Sequence, residues 1–135
     1  MIYLSSISCC SILVFMELHM AHCYRLIDKK YYMDATALYR SIIQRCPEQT
    51  SALEGMGFIL LDEKRLDEAC GYFEKVHQLD ASNHTSVAEM GWIYLEKQKY
   101  EEAIRFITTA LDIAGKDVPD YYYRLGRVYW AMEGK

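Results

Sequence analysis

The chain has 135 residues, of which 52% are hydrophobic and 25% charged, enough apolar material for one folded domain and too much for a disordered segment. Its formal net charge of −4 supplies no basic footprint for a phosphate backbone, which argues against direct contact with nucleic acid. Five cysteines, an odd number without a C-x-x-C pair, fit free thiols in a reducing compartment better than a disulfide framework, and the expected location is cytoplasmic.

Residues 1–15 stand apart from the rest. They are apolar, rich in Ser and Cys, and carry no charge. A secretory signal starts with positive charge and a membrane span needs about twenty apolar residues, so the stretch fits neither and no membrane association is expected. It is read as an atypical N-terminal segment: extending the downstream repeat backward puts Ser5 where an aromatic belongs and Ser8 where a small apolar residue belongs.

From Met16 onward one period governs the chain. Ala35, Ala69 and Ala103 recur at intervals of 34 residues, and Tyr39, Phe73 and Ile107 keep the same interval. Such a period marks stacked helix pairs rather than a closed catalytic fold. The frame divides the chain into 16–49, 50–83 and 84–117, followed by the first helix of an incomplete fourth unit at 118–135. Polar turns are predicted at Asp28-Lys29-Lys30, Asp62-Glu63-Lys64 and Glu96-Lys97-Gln98. Ser51 and Glu54 have the spacing of a capping box, Asn83 is a candidate N-cap, and Pro119 suits the opening turn of the last helix. The acidic pairs Asp67-Glu68 and Glu101-Glu102 fall in first turns, facing the positive end of a helix.

The seam between helices is also visible. Gly57, Gly91 and, one residue off the strict period, Gly126 fall inside first helices, where glycine costs about 1 kcal/mol relative to alanine. A recurring cost of that kind implies that another helix passes too close for a β-carbon. Ala35, Ala69 and Ala103 offer the matching small surface, and Tyr32, Leu66 and Tyr100 with Ile42, Val76 and Ala110 fill the remaining space.

Catalytic and metal chemistry find little footing. Gly55-x-Gly57 lacks a third glycine and sits in a helix, so it is no phosphate loop, and no Ser, His and Asp set or carboxylate pair has a recognisable spacing. His19, His22 and Cys23 have i, i+3, i+4 spacing, but they also fall on a packing stripe and no further ligand cluster accompanies them. Neither a cofactor nor a metal is expected, and the chain is read as a non-enzyme.

The runs Leu53…Met56-Gly57…Leu60…Ala69…Phe73…Val76 and Val87…Met90-Gly91…Tyr94…Ala103…Ile107…Ala110 resemble the tetratricopeptide repeat. The first unit departs from that pattern, with Cys23 at the glycine position and His19 at the aromatic one. The resemblance implies an all-α solenoid of antiparallel helix pairs, three repeats plus the first helix of a fourth. A narrower resemblance lies in Ala88-Glu89-Met90-Gly91-Trp92-Ile93-Tyr94 and in Tyr122-Tyr123-Arg124-Leu125-Gly126-Arg127-Val128-Tyr129-Trp130, which are similar to the large scaffold subunit of the superkiller (Ski) complex. That family implies helicase and WD-repeat partners and a role in RNA decay linked to the cytoplasmic exosome. The alternatives are a small stand-alone chaperone of the type III secretion class and a regulatory adaptor of another enzyme.

In tetratricopeptide repeats the first helices line a concave face. This places Met20, Tyr24 and Ile27, then Glu54, Phe58 and Leu61, then Trp92 and Leu95, then Tyr123, Arg127 and Trp130 along a largely apolar groove for a partner peptide or helix. The family's two-carboxylate clamp of Lys, Asn and Arg does not carry over. From Met16 its positions are Met20, Tyr24, Gly55, Thr85 and Glu89; one repeat later they are Glu54, Phe58, Glu89, Asp120 and Arg124, of which Arg124 alone matches. Glu133-Gly134-Lys135 falls at an inter-helix turn, so Tyr122, Leu125 and Tyr129 are expected to need cover from a longer array, a partner or self-association through the last helix. An acidic C-terminal tail peptide should show no submicromolar affinity for the chain; a titration that finds such binding, and loses it in Arg124→Ala, would overturn the clamp assignment.

Overall fold

The structure, a computed structural model, describes residues 12–134; the apolar stretch 1–11 and Lys135 lie outside them. The described residues form seven α-helices: α1 Ile12–Ile27, α2 Tyr32–Arg45, α3 Thr50–Asp62, α4 Leu66–Leu79, α5 His84–Glu96, α6 Tyr100–Ala114 and α7 Pro119–Glu133. A 3-10 turn, Lys29–Tyr31, joins α1 to α2, and no strand occurs among these residues. Helices α1/α2, α3/α4 and α5/α6 form hairpins, and the second helix of each packs on the first helix of the next. The architecture is three helical hairpins and a single following helix.

Local chemistry explains most helix ends. Asn83 caps α5 by accepting from the Ser86 amide at 2.9 Å, and Pro119 opens α7 where its missing N–H costs nothing. Asp67 and Glu68 sit in the first turn of α4, and Glu101 and Glu102 in that of α6. The Ser51 capping box does not form. Helix α3 starts at Thr50 after an uncapped Gln49, and the Glu54 carboxylate is drawn inward to accept from Asn83 Nδ2 at 2.6 Å. Asn83 therefore serves two helices at once. The turns after α3 and α5 each place a side-chain-bearing residue in the left-handed region, Lys64 at φ 63° and Gln98 at φ 61°.

Each hairpin is held by one bulky side chain. Tyr39, Phe73 and Ile107 are fully buried, beside Ala35, Ala69 and Ala103, which are equally buried. A β-carbon on Gly57 would lie 2.7 Å from Phe73 Cζ, and one on Gly91 would lie 2.6 Å from Ile107 Cγ1. The close neighbour that the glycines accommodate is therefore a side chain seated end-on, more than a helix backbone. Tyr39 is longer and reaches past its own hairpin to Gly55 of α3. Gly126 differs from the expectation: beyond its chain neighbours and its own helix backbone nothing lies within 4 Å of its β-position, because α7 buries Tyr121 and Val128 against the array and turns Gly126 away. Leu125 is half-buried against the core, whereas Tyr122, Tyr129 and Trp130 of the same helix are exposed.

The apolar interior falls into two clusters. One gathers Val14, Leu18, Ala21, Tyr39, Ile42 and Met56 around α1 to α3; the other gathers Leu60, Phe73, Ile93, Ile107 and Val128 around α3 to α7. Half-buried Tyr72 packs against both. In the first cluster the Tyr39 hydroxyl shares a hydrogen bond with His22 Nδ1 and accepts from Arg25 Nε at 3.3 Å, which satisfies the polar end of an otherwise apolar plug.

The glycine register predicts opposite signs for one substitution. Gly57→Ala and Gly91→Ala should each cost about 1–3 kcal/mol through overpacking, while Gly126→Ala should stabilise by up to about 1 kcal/mol through helix propensity, as read by urea denaturation. The His22 imidazole is held below its ordinary pKa by burial first and by the Arg25 charge second. Because the folded value is the lower one, the stability gained from a neutral His22 is complete above about pH 6.5 and is lost as pH falls through the folded value. Unfolding midpoints should drop more steeply on acidification in the wild type than in His22→Gln.

Candidate functional site

The first helices build a shared furrow. One hollow of about 360 Å³ is lined by Arg25, Tyr32, Phe58, Leu61, Asp62, Lys64, Leu66, Trp92 and Glu96. A second of about 190 Å³ is lined by Leu61, Glu89, Trp92, Asp120, Tyr123 and Arg124. Leu61 and Trp92 belong to both, so the two hollows adjoin and together form a groove reaching from α1 through α3 and α5 to α7. Phe58 is fixed edge-on against the buried Phe73, with ring centroids 5.3 Å apart, which holds its outer face toward the groove.

Of the sequence-predicted groove residues, Phe58, Leu61, Trp92 and Tyr123 line these hollows, and Arg127 lies with its guanidinium 5.9 Å from the Trp92 ring centre. Glu54 neighbours them but is engaged by Asn83, and burial raises its pKa above the ordinary carboxylate value. The others lie elsewhere. Tyr24 stacks on Tyr31 at 5.6 Å, half-buried Leu95 packs against the core, and Ile27 and Trp130 are exposed and line neither of these two hollows. Met20 lines a separate apolar hollow of about 490 Å³ on α1 with Ile12, Phe15, Met16, His19 and Cys23. His22 turns away from that side toward Tyr39, so His19, His22 and Cys23 do not converge, and among the described residues no group of three His, Cys, Asp or Glu side chains has the geometry to hold a metal.

The charged wall of the groove was not legible from spacing. Arg124 donates through Nη2 to Glu89 and through Nε to Asp120, both at 2.9 Å, and through Nη1 to the Ala88 carbonyl at 3.2 Å. Burial opposes the charge on Arg124, yet Glu89 and Asp120 outweigh it and keep its pKa raised. This arginine, the one side chain matching the clamp pattern, is thus occupied by carboxylates of its own chain. Arg25 was missed because its repeat departs from the family pattern and no periodic position marks it; it lies with its guanidinium 5.1 Å from the Phe58 ring centre. Cys70 is half-buried and its thiol pKa is raised, by burial first and by Glu74 second, which leaves it a weak nucleophile.

Helical hairpins in register, with a groove across their first helices, define a solenoid binding module. The family model for the tetratricopeptide repeat matches residues 60–128, just over half of the chain. The chain belongs to the tetratricopeptide repeat family. No curated protein matches it. Among solved structures it is similar to the first tetratricopeptide domain of Spaghetti (RPAP3) bound to the HSP90 peptide SRMEEVD, with a TM-score of 0.79 at 15% identity, covering 89% of this chain and 93% of that one. It is also similar to YrrB, a tetratricopeptide protein described as having an unusual peptide-binding site, with a TM-score of 0.64 at 26% identity over 70% of this chain and 48% of that one. A third is MamA, with a TM-score of 0.69 at 22% identity, covering 78% of this chain and 61% of that one. The chain spans about half of YrrB and about three-fifths of MamA.

The Arg124–Glu89 pair joins α7 to α5 with little solvent, the side chains being 17% and 10% exposed. Removing the cation strands a buried carboxylate, so Arg124→Met should cost about 3 kcal/mol and selectively raise amide exchange in α7. Adding Glu89→Gln should recover part of that loss, as read by a double-mutant cycle.

Proposed function

We propose that the protein is a non-enzymatic interaction scaffold that holds a peptide or helix of a partner protein along the first-helix groove. One observation carries the reading: three successive repeats contribute Phe58, Leu61, Trp92 and Tyr123 to two adjoining hollows that share Leu61 and Trp92. Aromatic side chains on rigid helices give large contact area at small entropic cost, the usual chemistry of a binding hot spot. A cytoplasmic location is part of the proposal and rests on the odd number of cysteines without a C-x-x-C pair. The narrower proposal, a scaffold of superkiller type joining helicase and WD-repeat subunits, rests on the Ala88–Tyr94, Tyr100–Ile104 and Tyr122–Trp130 sequences.

Affinity purification from the native host, run in parallel with Trp92→Ala, tests both levels. A partner recovered with the wild type should fall at least about tenfold with the variant, whose circular dichroism should stay helical. Equal recovery on both would sink the groove assignment. A helicase and a WD-repeat protein among the Trp92-dependent partners would support the superkiller reading; a translocator or a single enzyme would replace it with the chaperone or adaptor reading.

A further inference from the structure

The groove's charges are unequally committed. Asp120 and Glu89 are held by Arg124 at 2.9 Å. Asp62 accepts from Tyr32 at 2.9 Å and pairs with Lys29 at 3.2 Å, and Glu96 lies 3.9 Å from Lys64. Every carboxylate lining the two hollows therefore has a donor within the chain. Among the described residues, two arginines beside the groove form no ion pair. Arg25 donates to the Tyr39 hydroxyl and lies over Phe58, with Glu54 acting on it at longer range than an ion pair. Arg127 donates to the Tyr123 hydroxyl at 3.2 Å and covers Trp92.

A guanidinium has five N–H donors, and one phenol oxygen occupies one of them. A guanidinium beside an aromatic ring can still meet a carboxylate in two parallel hydrogen bonds. Arg25 lines the hollow that contains Leu61 and Trp92, and Arg127, outside the lining of either hollow, approaches the Trp92 ring at 5.9 Å, beside Arg124 at 5.8 Å.

We propose that the groove selects a segment in which a large apolar residue is flanked by acidic side chains, the apolar one seated on Leu61 and Trp92 and the carboxylates taken by Arg25 and Arg127. This deepens the scaffold reading and rests on it. The recognised carboxylates belong to side chains within the segment rather than to a chain terminus, so Arg124 remains tied to Glu89 and Asp120 throughout.

A display library of random short peptides selected on the full chain, with the winners resynthesised acetylated and amidated, provides the test. The expected winners carry Asp or Glu around a Leu, Phe, Met or Trp. Their affinity should fall about tenfold when the acids become Gln or Asn, and by a similar factor in Arg25→Gln and in Arg127→Gln, the loss of one charge-assisted hydrogen-bonded pair. Arg25 also touches Tyr39, so exposed Arg127 carries the decisive arm: Arg127→Glu should reject the acidic peptide and regain affinity for its Lys-substituted version. Winners that need Trp92 but tolerate neutral replacements, and bind Arg127→Glu unchanged, overturn the acidic selection and leave the groove standing. Winners indifferent to both Trp92→Ala and Phe58→Ala overturn the scaffold reading with it.

Discussion

The contact on which the array depends is a bulky side chain of a second helix pressed against a glycine of a first helix. Phe73 on Gly57 and Ile107 on Gly91 bring paired helices close enough to exclude water along the hairpin, and Ala69 and Ala103 keep the neighbouring turn equally close. Everything at the groove follows from that distance. Phe58 is immobilised by Phe73 from behind, and Trp92 follows Gly91 directly, so two floor residues are positioned by the same plugs that close the hairpins. A site built this way sits on rigid elements and needs no loop to order it.

Electrostatics adds a second layer of constraint. Asn83 caps α5 while donating to Glu54 of α3, and Arg124 fastens α7 to α5 through a carboxylate and a carbonyl. Both link first helices to one another, across the groove rather than along the seam. They fix the spacing between successive repeats, which apolar contact alone leaves free to slide.

The seam was readable because packing repeats: Ala35, Ala69 and Ala103 must all be small for one geometric reason, and that reason returns every 34 residues. The groove was readable only in part. Tyr24, Phe58 and Trp92 share one register, yet Tyr24 stacks on Tyr31 while the other two line the groove, and Leu61 lines it while Leu95, one period on, packs against the core. The Ser51 capping box failed for a related reason: its glutamate found a stronger partner 29 residues away, and no local pattern shows that competition. Arg124 illustrates the limit further. Its partners Glu89 and Ala88 lie a full repeat back, so its role depends on how successive hairpins dock.

The division of the interior into two clusters, bridged by Tyr72, bears on cooperativity. A chain with two weakly joined cores does not have to melt in one step, and nearest-neighbour solenoids commonly fray from an end. If the α1/α2 hairpin opens while α3 to α7 hold, the floor around Leu61 and Trp92 survives and Arg25 is carried away from Phe58. One wall of the trough is then a thermally removable part, and the free energy of closing that first hairpin enters directly into how tightly any ligand touching Arg25 is retained.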